Sequence, residues 1–153
     1  MRTLFLFIAF TFCYVGSYCF GQELEKEPVL IDDIQVDVKE VSLSAAGDTA
    51  MVELFLISYT KGGREFKFNS FASGIVDSQG NPYLYDSMQM GKVLVKSSER
   101  QNYIHYLLDE DEPVKLLVKT GGWKKQWGVP RQFKLVFEDS GEPGKFLEVI
   151  IDL

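Results

Sequence analysis

Cysteine and histidine are nearly missing, with two Cys and one His in 153 residues. That is too few for a disulfide scaffold, and too few nitrogen and sulfur ligands for most zinc or haem sites. Positive charge is in deficit as well: 16 Lys and Arg stand against 22 Asp and Glu, a net charge of -6. Broad attraction to nucleic acid or to an anionic membrane is thereby excluded. No G-x-S-x-G, H-E-x-x-H, P-loop or dinucleotide fingerprint occurs anywhere in the chain. What the sequence has is 46% apolar and 14% aromatic residues, enough to bury one core and too short for two ordinary domains.

Nor is there an apolar run of membrane-spanning length. Leu4–Val15 covers 12 residues, and at about 1.5 Å per residue it falls well short of a roughly 30 Å hydrocarbon core. With Arg2 before it and small residues after it, it reads as the apolar region of a signal peptide over residues 1–21. The expected cut follows Gly21, with Cys19 at −3; a cut after Ser17 competes. A lipid-modified cysteine needs small residues directly before it, and bulky Tyr18 breaks that pattern at Cys19. The expected product is secreted or periplasmic, without a lipid anchor or a transmembrane span. It carries a net charge of -7 once Arg2 is lost, and contains no cysteine.

Residues 22–33 mix charges with one proline and read as a flexible acidic lead. From Ile34 the pattern changes to strands. Ile34, Val36 and Val38 alternate with polar residues, and Val41 and Leu43 continue on the opposite parity, so a bulge or crossover is expected at Lys39–Glu40. Ala50–Tyr59 is apolar on both parities, as a central strand would be. Further extended segments follow around Phe66–Phe68, Phe71–Val76, Tyr83–Tyr85, Val93–Val95, Tyr103–Leu108, Val114–Val118, Phe133–Phe137 and Leu147–Ile151. They are separated by Gly, Pro, Asn and Asp clusters. Only Ser87–Lys92 and Trp123–Gly128 leave room for a helical turn. Eight or nine short strands over residues 34–153 predict one all-β domain, an antiparallel β-sandwich. Val52, Leu54, Leu56, Tyr106, Leu116, Leu135 and Val149 are its expected core.

The succession of a bulged first strand, the apolar strand Ala50–Tyr59, DSQGNPY at Asp77–Tyr83, YIHYLLDEDEP at Tyr103–Pro113 and KLLVK at Lys115–Lys119 resembles the immunoglobulin-like domains of small bacterial exported proteins and lipoproteins. The resemblance spans residues 34–120 and implies architecture alone, because those domains share no catalytic motif.

Candidate chemistry is sparse. His105 has no second histidine to share a metal with, and Asp109–Glu112 puts four carboxylates in one turn without the spacing of a calcium loop. Neither is expected to hold an ion, and no cofactor is expected. The least ordinary stretch is Gly121–Gly128, in which Trp123 and Trp127 flank Lys124 and Lys125 between glycines. Exposed indoles could stack on sugars or anchor a protein, and the lysines would add a contact for acidic groups; alternatively the indoles cap the open end of the sandwich. These four residues are the candidate partner-binding site of an exported, non-enzymatic immunoglobulin-like domain. The expected partner is a protein or glycan of the cell envelope. The competing expectation is a carbohydrate-binding module or a carboxylate-based glycoside hydrolase accessory domain: exposed, coplanar Trp123 and Trp127 beside a groove would mark sugar binding, and a converging carboxylate pair in a cleft would mark an enzyme.

Overall fold

The computed structural model describes residues 26–77 and 79–153. The expected signal peptide, its cut after Gly21 and Cys19 lie outside the described residues. Among those described, the chain is all-β with two single-turn 3-10 segments, Ser97–Glu99 and Lys125–Trp127. No helix among them is long and apolar enough to cross a membrane.

Two antiparallel sheets enclose one apolar cluster. The first sheet runs in the order β1 (Val29–Ile31), β2 (Ile34–Leu43), β3 (Thr49–Ser58), β10 (Pro113–Gly121), β7 (Ser87–Met90), β8 (Val93–Lys96). The second runs β6 (Pro82–Tyr83), β5 (Gly74–Val76), β11 (Gln132–Glu138), β4 (Arg64–Asn69), β9 (Tyr103–Leu108), with β12 (Phe146–Asp152) paired along β11. Twelve strands are thus present among the described residues where eight or nine are expected from the sequence. The surplus is short. A three- or four-residue strand such as β1 or β7 has too few positions to show a period.

Two segments differ from expectation. Val29–Ile31 pairs with Val36–Ile34, so the end of the acidic lead belongs to the first sheet. Ser87–Met90, where a helical turn had room, forms a hairpin with Val93–Lys96 instead. Its two-residue turn needs Gly91 at φ 53, and a Cβ there would run into the Tyr106 hydroxyl.

The bulge falls where the parity switches. Pairing between β2 and β3 passes from Val38↔Leu54 to Glu40↔Glu53, leaving Lys39 over. That shift returns Val41 and Leu43 to the core side after Ile34 and Val36 have faced it. A second irregularity lies between β4 and β5, which share one edge of β11 through Phe68↔Phe137 and Gly74↔Lys134. The loop between them interrupts the ladder, and Ser73 repairs it: its hydroxyl oxygen accepts the Val136 N–H at 2.9 Å.

The core draws on both sheets. Val52, Leu54, Leu56 and Leu116 from the first face Phe66, Phe68, Phe133, Leu135 and Phe137 from the second, all fully buried, with the Phe66 and Phe137 ring centroids 5.0 Å apart. Of the expected core, Tyr106 and Val149 are only partly buried and pack against its margin. Leu54 sits in the middle of β3, opposite Val38 on one side and Leu116 on the other. Leu54→Ala is expected to cost about 2–5 kcal/mol in denaturant unfolding, the transfer loss plus an uncollapsed cavity.

Candidate functional site

The Gly121–Gly128 loop leaves β10 and folds back over the end of the sheets. Trp123 is buried, with 3% of its surface exposed; its backbone N–H donates to Asp48 O and its indole N–H to Gly128 O, each at 2.9 Å. Trp127 is half-buried on the 3-10 turn Lys125–Trp127. Tyr83 of β6 completes a three-ring cluster, with centroids 5.4 Å from Trp123 and 4.7 Å from Trp127. The two indoles are themselves 5.3 Å apart and nearly perpendicular at 84°. They pack edge to face, the arrangement that aromatic quadrupoles favour. They do not form a coplanar platform.

Tyr83 is placed by the turn before it. The Asp77 carboxylate accepts N–H bonds from Gln79 and Asn81, both at 2.8 Å, takes the Asn81 amide as well, and receives the Tyr83 hydroxyl at 3.5 Å. Burial opposes the charge on Asp77, but the bonds from Asn81 and Gln79 outweigh it and hold the carboxyl below the usual aspartate range. Burial, then the Asp77 charge, pushes the Tyr83 phenol up. The turn that carries Asp77, Asn81 and Tyr83 and the tryptophan loop, about forty residues apart in sequence, are therefore one packed unit.

What this unit presents outward is charge. Lys124 and Lys125 are exposed, and neither forms an ion pair among the described residues. The Lys124 ammonium lies 5.2 Å from the Trp127 ring centroid, and the stem of Lys125 lies over Gly47. The glycines on either side, at φ 66 for Gly122 and φ 71 for Gly128, set the loop's entry and exit.

A second feature is a cleft of about 250 Å³ where β4, β9 and the β11–β12 hairpin meet, with His105 on its wall. Its charged side chains have partners, Lys67 with Glu138 and Glu65 with His105 inside it, Arg64 with Asp32 and Asp139 with Lys145 beyond it. Arg64, on the rim, donates to the Asp32 carboxylate at 2.8 Å, to Asp32 O at 2.7 Å and to Glu138 O at 3.3 Å. Lys67 lies 3.1 Å from Glu138 and also faces the rings of Tyr103 and Phe146, at 4.9 and 5.3 Å from their centroids. His105 Nδ1 lies 3.0 Å from Glu65 Oε1, with both side chains more than half exposed. The Gly144 N–H, then Lys67, hold Glu138 below the ordinary glutamate range. At Asp32 burial works the other way, and bonds from Ser140 and Arg64 overcome it.

The structure thus brings the four loop residues together but turns the tryptophans inward and the lysines outward. The cleft around His105 is not readable from the sequence, because Glu65 and His105 meet only through the β4–β9 register. The acidic turn Asp109–Glu112 serves the fold: Glu110 accepts the Gly62 N–H at 2.9 Å, and the Asp111 N–H bonds Ser58 O. Among the described residues no three His, Cys, Asp or Glu side chains converge as metal ligands would. No family model, curated protein or solved structure matches the chain.

Two measurements check this geometry. Trp123→Ala should cost about 3–5 kcal/mol in thermal or denaturant unfolding, as for a buried aromatic, and Trp127→Ala distinctly less. Asp32, Asp48, Asp77 and Glu138 all have lowered pKa values, so the unfolded chain binds more protons than the folded one at these sites. Their stabilisation is complete above the ordinary carboxylate range near about pH 4 and is lost as pH falls through the lower folded values. Melting followed below about pH 4 should show this acid limb, and Asp77→Asn should make it shallower.

Proposed function

We propose that the protein is an exported, non-enzymatic binding domain, an immunoglobulin-like β-sandwich in which the Gly121–Gly128 loop contacts a partner protein in the cell envelope. The observation that carries this reading is the pair of lysines held out, without carboxylate partners among the described residues, on a turn braced by Trp123, Trp127 and Tyr83. On a chain of net charge -6 they form a local positive spot. An acidic protein surface is the complementary partner. A braced turn also loses little conformational freedom on binding, which leaves more of the contact energy as affinity.

Export is supported by the apolar run Leu4–Val15 and the small residue Gly21 that ends the segment after it. A non-enzymatic role fits the His105 cleft, whose charged side chains are engaged in ion pairs and hydrogen bonds: no Ser or Cys side chain bonds the imidazole among the described residues. Sugar stacking is disfavoured by the indoles, since Trp123 is buried and Trp127 stands at 84° to it.

The doubly substituted protein K124E/K125E tests the reading, since both side chains are exposed and the variant should stay folded, with its melting point lowered only slightly by loss of the Lys124 contact with Trp127. Capture of an acidic partner from native envelope extracts should be lost. For the unsubstituted protein, capture should weaken as salt rises, as contacts between exposed charges are screened over about 10 Å at 0.1 M. Undiminished capture by K124E/K125E would remove this loop as the binding surface.

A further inference from the structure

Every open-sheet protein must deal with the unpaired N–H and C=O groups along its outermost strands. Most edges here are blunted. β1 has three residues, β6 has two and begins with Pro82, and β8 is short and ends on Lys96. The ends of β9 are tied down, since Gln101 Nε2 donates to Tyr103 O at 2.9 Å and the chain beyond Leu108 is held to Ser58 through Asp111 N–H. β12 has none of these devices. It is seven residues long, contains no Pro, Gly or Lys, and pairs on one side only, with β11. No hydrogen bond among the described residues reaches its other edge, and Ile150 is 47% exposed.

We infer that the outer edge of β12 is a pairing surface for a second copy of this chain, joined antiparallel about a two-fold axis at Val149. The charges on the strand select this register. With Val149 opposite itself, Glu148 faces Ile150 of the other copy and Phe146 faces Asp152, so no like charges are directly opposed. A slip of two residues one way sets Glu148 against Glu148 of the other copy; a slip the other way sets it against Asp152. Either costs stability through direct like-charge pairing across strands. A slip of one residue pairs the outward side chains with the inward set Leu147, Val149 and Ile151, which opposes the buried face of one sheet to the solvent face of the next. The two carboxylates are also drawn back over their own sheet, Glu148 by Lys134 at 3.2 Å and Asp152 by Gln132 at 3.0 Å, which leaves the backbone edge clear.

The partner is a copy of this chain because with Val149 on the axis the strand pairs with itself over all seven residues and opposes no like charges directly, as an isologous two-fold interface requires. Facing residues across such a pair lie about 4.5–5.5 Å apart at Cα, within the span a disulfide bridges.

The test uses the protein in the form the expressing cell yields, in a C13S/C19S background. Sedimentation should show the mass doubling as concentration rises. Under mild oxidation V149C should link to itself, because that position lies on the axis. I150C and E148C should each link poorly alone and readily when the two are mixed, because 148 and 150 face each other. Residues 148 and 150 are exposed, so the mixed pair remains informative if V149C is destabilised, and circular dichroism confirms folding of each variant. A protein that stays monomeric up to roughly 1 mM would overturn the inference. So would a dimer in which the mixed I150C and E148C chains link no better than either alone.

Discussion

One guanidinium ties the two sheets together at the edge of their shared core. Arg64 opens β4 in the second sheet, and Asp32 lies in the turn between β1 and β2 of the first. Their ion pair is 2.8 Å long, with side chains 6% and 15% exposed. Asp32 and Asp33 are both left-handed, at φ 49 and φ 55, between Ile31 and Ile34, which pair across the hairpin. This is the two-residue turn that matches strand twist, but it is built from aspartates where Asn-Gly would be least strained. The conformation is retained because the Asp32 carboxylate is used: it takes Arg64 on one side and the N–H and hydroxyl of Ser140 on the other. The turn, the start of β4 and the β11–β12 hairpin are therefore fixed by one acidic group. Without the Asp32 carboxylate the buried Arg64 charge would keep only the carbonyl oxygens of residue 32 and Glu138, and Ser140 would lose its anchor to the turn.

At the tryptophan loop the same economy operates with neutral groups. Asp77 shapes a turn, the turn delivers Tyr83, and Tyr83 fills the angle between Trp123 and Trp127. The order of dependence runs from a carboxylate to a phenol to two indoles, and ends at two solvent-exposed lysines. A glycine-flanked loop with no such support would sample many shapes. Here the indole N–H of Trp123 closes the loop on Gly128 O, so the positions of Lys124 and Lys125 are set by buried groups.

The strands were legible because their signal is local. Alternation at Ile34–Val38, its reversal by Leu43 and the doubly apolar Ala50–Tyr59 appear as a strand, a bulge and the central strand Thr49–Ser58. Val29–Ile31 was not legible, since its hairpin is secured by Arg64 and Ser140, 32 and 108 residues away from Asp32. Nor was the direction of Trp123 and Trp127. Glycines on both sides permit either orientation, and the decision rests on Tyr83 and on Asp48 O, which the spacing of the loop does not reveal. The His105 cleft is a product of cross-strand register, in which Lys67 faces His105 and Glu138 approaches from a third strand. A single sequence carries the composition of such a site but not its assembly.

The positions of the lysine turn and the β12 edge bear on each other. β5 and β4 share one edge of β11, and β12 occupies the opposite one. β6, which carries Tyr83 and with it the tryptophan cluster, lies beyond β5, on the far side of β11 from β12. A second copy paired along β12 would extend the sheet away from Lys124 and Lys125, leaving both turns exposed. Two weak positive contacts on one rigid body act together wherever an acidic partner repeats at a matching span, because the second contact forms at high effective concentration. For a chain whose overall charge opposes an acidic surface, pairing of this kind would strengthen a local attraction that a single turn supplies only within about a Debye length.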